Sequence, residues 1–397
     1  KINCDNENFK CRIKKVKNKK IYSLFLVLML TSCSTLDSLR FWQNDEIDSD
    51  EPRDLNSFSN QKFIEIGWKK SFEGENILGN FVPGFSSQKL FFSDSQGTVS
   101  SMNSIDGNIL WTKELDFLAS GTSAGFGIVV VSDTKGNVIA LTQDEGTILW
   151  KSNVKGEVLS KAAVDAKLVI VKTNSGELIA LNKDTGSIEW SYRSKLPLLT
   201  VRGSSSPVIV DDKIYTSFDN GRLGVFDLNS GFPLWDGAIS YVRGVSELEN
   251  LIDADSPPVV ENGLIYSTNY QGNLNIFDIA QQRSVWSYET SSFYSPVIIK
   301  GMLIIIEANS AIRSFAMQTM EESWLSEDYL NRDLSNAVSF KGDLAFGDFE
   351  GFVHIVDPLN GITVAREKIS RKPIKTVFSR SNKLYAIDEA FNLFLIN

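Results

Sequence analysis

The sequence predicts an all-β fold, an eight-bladed β-propeller of four-stranded antiparallel blades. Three observations carry that prediction. A turn running into a strand that ends at tryptophan recurs roughly every 40 residues, a second turn, usually with glycine, lies about a dozen residues before it, and alternating apolar stretches fill the space between. The 397 residues, 42% hydrophobic and 22% charged, suit a soluble body with a sizeable core rather than a disordered or polytopic membrane chain.

The elements before the repeat come first. Residues 1–32 read as an export signal: six basic residues between Arg12 and Lys20, the apolar stretch Ile21–Leu30, then Leu30-Thr31-Ser32-Cys33. The apolar run is about ten residues, too short for a bilayer core that takes roughly 20 in helix. Cleavage is expected before Cys33. The chain does not open on Met, so residues 1 to about 17 are expected to include upstream or misassigned sequence. Removing residues 1–32 takes away eight basic and two acidic residues, which moves the net charge from −9 to −15. No basic block remains to hold nucleic acid, so that partner class is excluded. Cys4, Cys11 and Cys33 with the single His354 cannot make a Cys/His zinc site at usual spacing, and a mature chain with only Cys33 has no disulfide framework. Residues 34–60, rich in Ser, Asp, Asn and Glu, read as a flexible tether spanning roughly 30 Å root-mean-square.

From about residue 61 the repeat takes over. The first signature reads Asp106-Gly107-Asn108-Ile109-Leu110-Trp111, Glu145-Gly146-Thr147-Ile148-Leu149-Trp150, Thr185-Gly186-Ser187-Ile188-Glu189-Trp190 and Ser230-Gly231-Phe232-Pro233-Leu234-Trp235, with degenerate copies ending at Trp286, Trp324 and Ala365. The second is the turn at Gly97, Gly136, Gly176, Gly221, Gly272 and Gly351, with Ser310 and Phe391 in the equivalent places. Glycine suits a tight turn that needs positive φ, and alternation after it marks a half-buried strand. An apolar strand such as Leu168-Val169-Ile170-Val171 and a short leading segment such as Ser206-Pro207-Val208-Ile209 complete four strands per unit. The tryptophan-type positions, starting at Trp68, number eight, and so do the second turns, but the two sets are offset. Trp68 has no such turn before it and the turn at Phe391 has no tryptophan strand after it. A strand within Phe63–Phe72 is therefore expected to supply the outer strand of the last blade, which removes two free sheet edges. The recurrent tryptophans are read as packing between blades rather than as platforms for a planar ligand.

The spacing also marks a site. The longest tryptophan intervals, 45 and 51 residues, run from Trp190 to Trp235 and from Trp235 to Trp286. In both the extra residues fall after the tryptophan strand and before the next blade's first strand. The two long connections are thus expected side by side on one face, and loops on a rigid scaffold commonly carry function.

The Gly-x-x-x-Trp repeat resembles the pyrroloquinoline-quinone-type propeller repeat, and the tetrad Leu30-Thr31-Ser32-Cys33 resembles a bacterial lipoprotein box. From Cys33 to Asn397 the chain resembles the BamB family of outer-membrane assembly lipoproteins, through the box, the eight closed repeats and two stretches, Leu199-Thr200-Val201-Arg202-Gly203-Ser204-Ser205-Ser206-Pro207 and Glu247-Leu248-Glu249-Asn250-Leu251-Ile252-Asp253-Ala254-Asp255-Ser256-Pro257-Pro258. The resemblance implies that Cys33 carries diacylglycerol and palmitate, and that Ser34, in place of aspartate, sends the protein to the periplasmic face of the outer membrane. Several acyl chains make such an anchor stable where one is marginal. It implies a non-enzymatic role without a cofactor in the β-barrel assembly (BAM) complex, aiding folding and insertion of outer-membrane barrels. Leu199, Val201, Arg202, Asp253 and Asp255 would dock the periplasmic POTRA domains of a BamA-type barrel protein, with other BAM lipoproteins reached indirectly and unfolded outer-membrane proteins as further partners. Val201 stands where Leu is usual, a small loss of apolar reach. Arg202 paired with Asp253 or Asp255 as a brace between loops is the bland alternative.

Two other functions use the same fold. A quinoprotein dehydrogenase would bring a vicinal disulfide and calcium-binding acids, and the mature chain has no cysteine pair. A generic propeller would bind peptides or glycans in its channel, which fold alone does not decide. His354, in the alternating Phe352-Val353-His354-Ile355-Val356, reads as a strand residue rather than a ligand. Asp144-Glu145, Asp211-Asp212, Asp227, Asp278 and Asp357 read as turn residues.

Overall fold

The computed structural model of the chain describes residues 50–74, 79, 81–196, 205–239 and 256–397. Among these residues the strands form eight four-stranded antiparallel sheets. Blade one is Gly84–Ser86, Lys89–Ser93, Thr98–Asn103 and Ile109–Glu114. Blades two to seven repeat the meander, beginning at Ser123, Ala163, Val208, Val259, Val297 and Val338. Blade eight takes Ile374–Arg380, Lys383–Asp388 and Asn392–Ile396 from one end of the chain and its outer strand, Ile66–Ser71, from the other. Trp68 pairs with Leu395 and Ser71 with Asn392, so the ring closes as the offset of the two repeats requires.

Each blade is covered on both faces by its neighbours, which is why the middle strands are apolar on both sides. All five residues of Ile128–Ser132, Leu168–Lys172 and Asp343–Gly347 are buried. The first strands of blades one to four touch in succession, as do those of blades six to eight, and in a propeller these inner strands line a central channel.

The tryptophans pack between blades. Trp111, Trp150, Trp190 and Trp324 each lie on the glycine of the next blade's turn, Gly146, Gly186, Gly231 and Gly361, and each indole N–H donates to the carbonyl three residues before that glycine, at Gln143, Lys183, Leu228 and Pro358 (2.7–3.1 Å). Glycine is favoured at these four positions on two counts. Its φ is positive, and a Cβ on Gly186 would come within 2.6 Å of Trp150. Gln282 and Met320 hold the same left-handed place in blades five and six.

Ser310 and Phe391, standing where the second turn has glycine elsewhere, have φ of 71° and 56°. Gly272 departs from expectation. The left-handed residue in that turn is its neighbour Gln271. Gly272 is small because the Asn269 side chain fills the space a Cβ would take, 2.3 Å away, while bonding the Asn273 amide at 3.0 Å.

The compact unit runs Pro52–Asn397, earlier than the residue 61 at which the repeat begins. Arg53–Ile64 forms a strap along blades six and seven. The Arg53 amide bonds the Leu330 carbonyl at 2.9 Å, Arg332 bonds the Arg53 carbonyl at 3.0 Å, Asn60 makes reciprocal bonds with the main chain of Arg366, and Ile64 is buried. Expected tether residues are held here by polar pairs that a low-complexity composition does not reveal.

His354 is fully buried, stacked on Phe346, with Nε2 3.0 Å from Asp348. Arg332, also buried, bonds Asp348 at 2.8 Å and pairs with Glu350. The strand reading of His354 holds. Asp227, Asp278 and Asp357 bond amides of their own turns.

Candidate partner-docking site

Leu199, Val201, Arg202, Asp253, Asp255 and Cys33 lie outside the described residues. The roots of the two long connections are described, and they converge. In an antiparallel meander every connection from an outer strand to the next blade's first strand emerges on the same face as the turn between second and third strands. On that face one turn, Asn220-Gly221, receives both departing chains. The Asn220 side chain donates to the Ser194 hydroxyl (3.1 Å) and the Lys195 carbonyl (2.9 Å), where the first connection leaves, and the Ile239 amide donates to the Gly221 carbonyl (2.8 Å), where the second leaves. The returning ends meet as well. The buried Ser205 hydroxyl donates to the Ser256 carbonyl at 3.1 Å, and the Ser256 hydroxyl is bonded to Thr268 in the blade behind it.

Departure and return are therefore shared by the two connections, which fixes them as neighbours at their bases. Leu196 adds an apolar foot, packed 2.8 Å from where a Gly176 Cβ would lie. The amide of Lys161 donates to Ser206 (3.1 Å), and its ammonium reaches the Pro83 carbonyl at 2.9 Å, two blades away. Burial pushes Lys161 down to about 8. Beside Ser256 and Pro257 opens a channel-mouth cavity of about 510 Å³, walled by Phe81, Phe293, Phe378 and Phe391. It can take apolar side chains.

The buried acids of this face serve the turns. Asp94 bonds the amides of Gln96, Gly97 and Thr98, Asp133 those of Lys135 and Asn137, and Asp388 those of Ala390 and Asn392. Among the described residues no group of three or more His, Cys, Asp or Glu side chains is placed to hold a metal ion. Asn220, Ser205 and Ser256 escaped sequence reasoning as root residues. Their one signal was position, at the ends of the two longest repeats.

The profile of a family described as outer membrane protein assembly factor BamB matches residues 95–326. Over 366 residues the chain is 30% identical to the outer membrane protein assembly factor BamB of Escherichia coli, covering 89% of this chain and 92% of that protein. It is 32% identical to that of Pseudomonas aeruginosa over 348 residues, 84% and 92% of the two chains. Among solved structures, BamB from Moraxella catarrhalis superposes with a TM-score of 0.78 at 23% identity, covering 84% of this chain and all of that one. The quinohemoprotein alcohol dehydrogenase of Comamonas testosteroni reaches 0.65 at 10% identity over 84% and 76%, a likeness of fold alone.

Proposed function

The chain belongs to the BamB family of outer membrane protein assembly factors, and from that membership we propose that it is a non-enzymatic scaffold of the BAM complex, anchored through lipid on Cys33 at the periplasmic face of the outer membrane. Its two long connections dock the POTRA domains of a BamA-type barrel protein, with Leu199 and Val201 as the apolar anchor and Arg202, Asp253 and Asp255 as the charged edge. The observation that carries the reading is the joined root, Asn220-Gly221 on the departing side and Ser205 to Ser256 on the returning side. A rigid, shared base favours one composite surface over two independent loops, and pre-organisation lowers the entropy that binding must overcome. The curated relatives are named as assembly factors, whereas the dehydrogenase likeness is one of fold, so the enzymatic reading has less support.

Charge reversal tests the docking. In the full lipoprotein, Arg202→Glu, or Asp253→Arg with Asp255→Arg, should abolish co-purification of the barrel partner from solubilised envelopes and leave the melting temperature unchanged. Removal of one partner of a buried interfacial charge pair costs about 2–5 kcal/mol. If the single reversals unfold the propeller and the combined swap restores both fold and binding, the residues brace one another and are not the docking surface.

A further inference from the structure

The turns that join first to second strands ring the lower mouth of the channel, on the face opposite the two long connections, and their charges divide by sign. Across blades two to five they carry Asp165, Lys167, Asp211, Asp212, Lys213 and Glu261. Across blades six, seven, eight and one they carry Lys300, Lys341, Arg380, Lys383 and Lys89 against one acid, Asp343. The Asp343 carboxylate is buried and already pairs with Lys62 of the strap, while Lys300 comes only within 3.9 Å of it. Toward the rim the same face has Glu65, Glu321 and Asp357, so the cationic surplus belongs to the inner ring.

The cations form a continuous arc. The first strands of blades six, seven and eight touch in succession, and a Cβ on Gly342 would lie 3.4 Å from the Lys300 side chain of the blade before. Lys341 lies over the ring of its neighbour Phe340, and among the described residues Lys341, Arg380 and Lys383 make no ion pair. Arg380 and Lys383 pair directly across their hairpin. Like charges so opposed destabilise a strand pair, and an acidic chain had every means to relieve them. An exposed aromatic stands beside the arc. Phe63 is 80% exposed, and Leu359, on the same face of blade seven, is 52% exposed. The Gln61 and Lys62 amides bond the Val364 carbonyl at 2.8 and 3.2 Å, and Ile64 is buried in the cluster that contains Val364. Phe63 is thus held outward between two fixed residues.

We propose that the lower face of blades six to eight rests on an anionic lipid surface, with Phe63 entering the headgroup boundary and Lys300, Lys341, Arg380 and Lys383 meeting the phosphates. Basic side chains beside an exposed aromatic are the chemistry of interfacial binding, and each cation near an anionic bilayer adds to the attraction. The same surface repels the acidic half of the ring, so the contact sets the tilt of the propeller and turns the docking loops away from lipid. The proposal rests on the lipid-anchor reading of Cys33 for proximity alone. The strap passes from the docking face to the lower face between Arg53 and Lys62, and the stretch from Cys33 to Pro52 is twice as long, enough for an anchored chain to bring this face to the bilayer.

The test uses the mature chain with Cys33→Ser, which removes the acyl anchor, so failure of this surface and failure of the anchor reading are separate results. At low salt the protein should sediment with vesicles of equal parts phosphatidylglycerol and phosphatidylethanolamine, should not sediment with phosphatidylcholine vesicles, and should be released by added salt. Lys383→Glu turns the opposed like charges into an ion pair with Arg380. Its melting temperature should rise slightly while vesicle binding falls several-fold, opposite movements that a purely structural residue would not produce. The triple variant Lys341→Glu, Arg380→Glu, Lys383→Glu should lose tenfold or more of the binding, and Phe63→Ser should weaken it without changing its salt dependence. Equal binding to both kinds of vesicle, or unchanged binding in the triple variant, would overturn the proposal. So would capture of a poly-aspartate peptide with no vesicle binding, which would assign the arc to an acidic protein partner.

Discussion

Ser205 and Ser256 stand 51 positions apart and are joined by one hydrogen bond, from the Ser205 hydroxyl to the Ser256 carbonyl at 3.1 Å. Both are buried, so the bond ties the bases of two connections that belong to different blades. Ser205→Ala leaves a buried carbonyl with one partner fewer, which costs about 1–3 kcal/mol. Urea unfolding should register that loss. Co-purification of the barrel partner should weaken by more than the stability change alone explains, because the two loops lose their common base. Full partner binding at reduced stability would detach the root from docking.

The tryptophan and glycine contacts predict two unequal substitutions. Gly186 and Gly263 both have positive φ, but a Cβ on Gly186 meets Trp150 and Ser152 within 2.6 Å, whereas nothing lies within 4 Å of one on Gly263. Gly263→Ala should cost only the left-handed backbone term, about 1–2 kcal/mol. Gly186→Ala should cost clearly more, read as a lower urea midpoint and a change in tryptophan emission.

Trp68 breaks the indole pattern at the closure. Ser104, three residues before Gly107, is the acceptor its ring should use, but the Tyr385 hydroxyl holds that carbonyl at 3.0 Å, and the Trp68 indole N–H is buried with no hydrogen-bond partner. Tyr385→Phe frees the carbonyl for Trp68. The expected loss is therefore small, under about 1 kcal/mol, the usual net worth of one hydrogen bond. A shifted indole resonance for Trp68 in nitrogen-edited NMR would report the new bond, and a large loss without that shift would contradict it.

Stability should fall in mild acid because of His354. Burial, opposed by the hydrogen bond and charge of Asp348, holds His354 below its ordinary value of 6.5. Below 6.5 the unfolded chain binds a proton that the folded chain refuses, so stability is complete above that pH and is lost as pH drops towards the folded value. Asp348 adds a second loss at lower pH. Burial alone would raise it, but bonds from His354, Arg332 and the Phe352 amide hold it below 3.8, and that contribution disappears as pH falls through the folded value. The melting temperature of wild type should decline from pH 7 to 5, and His354→Gln should flatten the decline.

Much of the fold was legible because it is local. Gly107, Gly146, Gly186 and Gly231 each sit at a fixed distance before a tryptophan, and the same spacing recurs wherever one blade packs on the next. Trp68 and Phe391, the two unmatched members, announced the closure. The candidate site was legible only as excess length between Trp190 and Trp235 and between Trp235 and Trp286. Nothing in those intervals singled out Asn220 as the turn that receives both loops. Gly272 looked like its fellows and was not, since its smallness serves the Asn269 side chain rather than a left-handed turn.

The sequence by itself determined the number of blades, their order and the strand that closes them, because a propeller is stabilised by nearest-neighbour contacts that repeat with the chain. Tertiary structure alone decided which edges are covered. The strap from Arg53 to Ile64 reaches Val364 and Arg366 across some 300 positions, and Tyr385 takes the Ser104 carbonyl from Trp68 across 281. Ring closure brings such pairs together at a distance no local period encodes, and that is why Val364 is covered while Leu110, Leu149 and Leu234, alike in sequence, stay open.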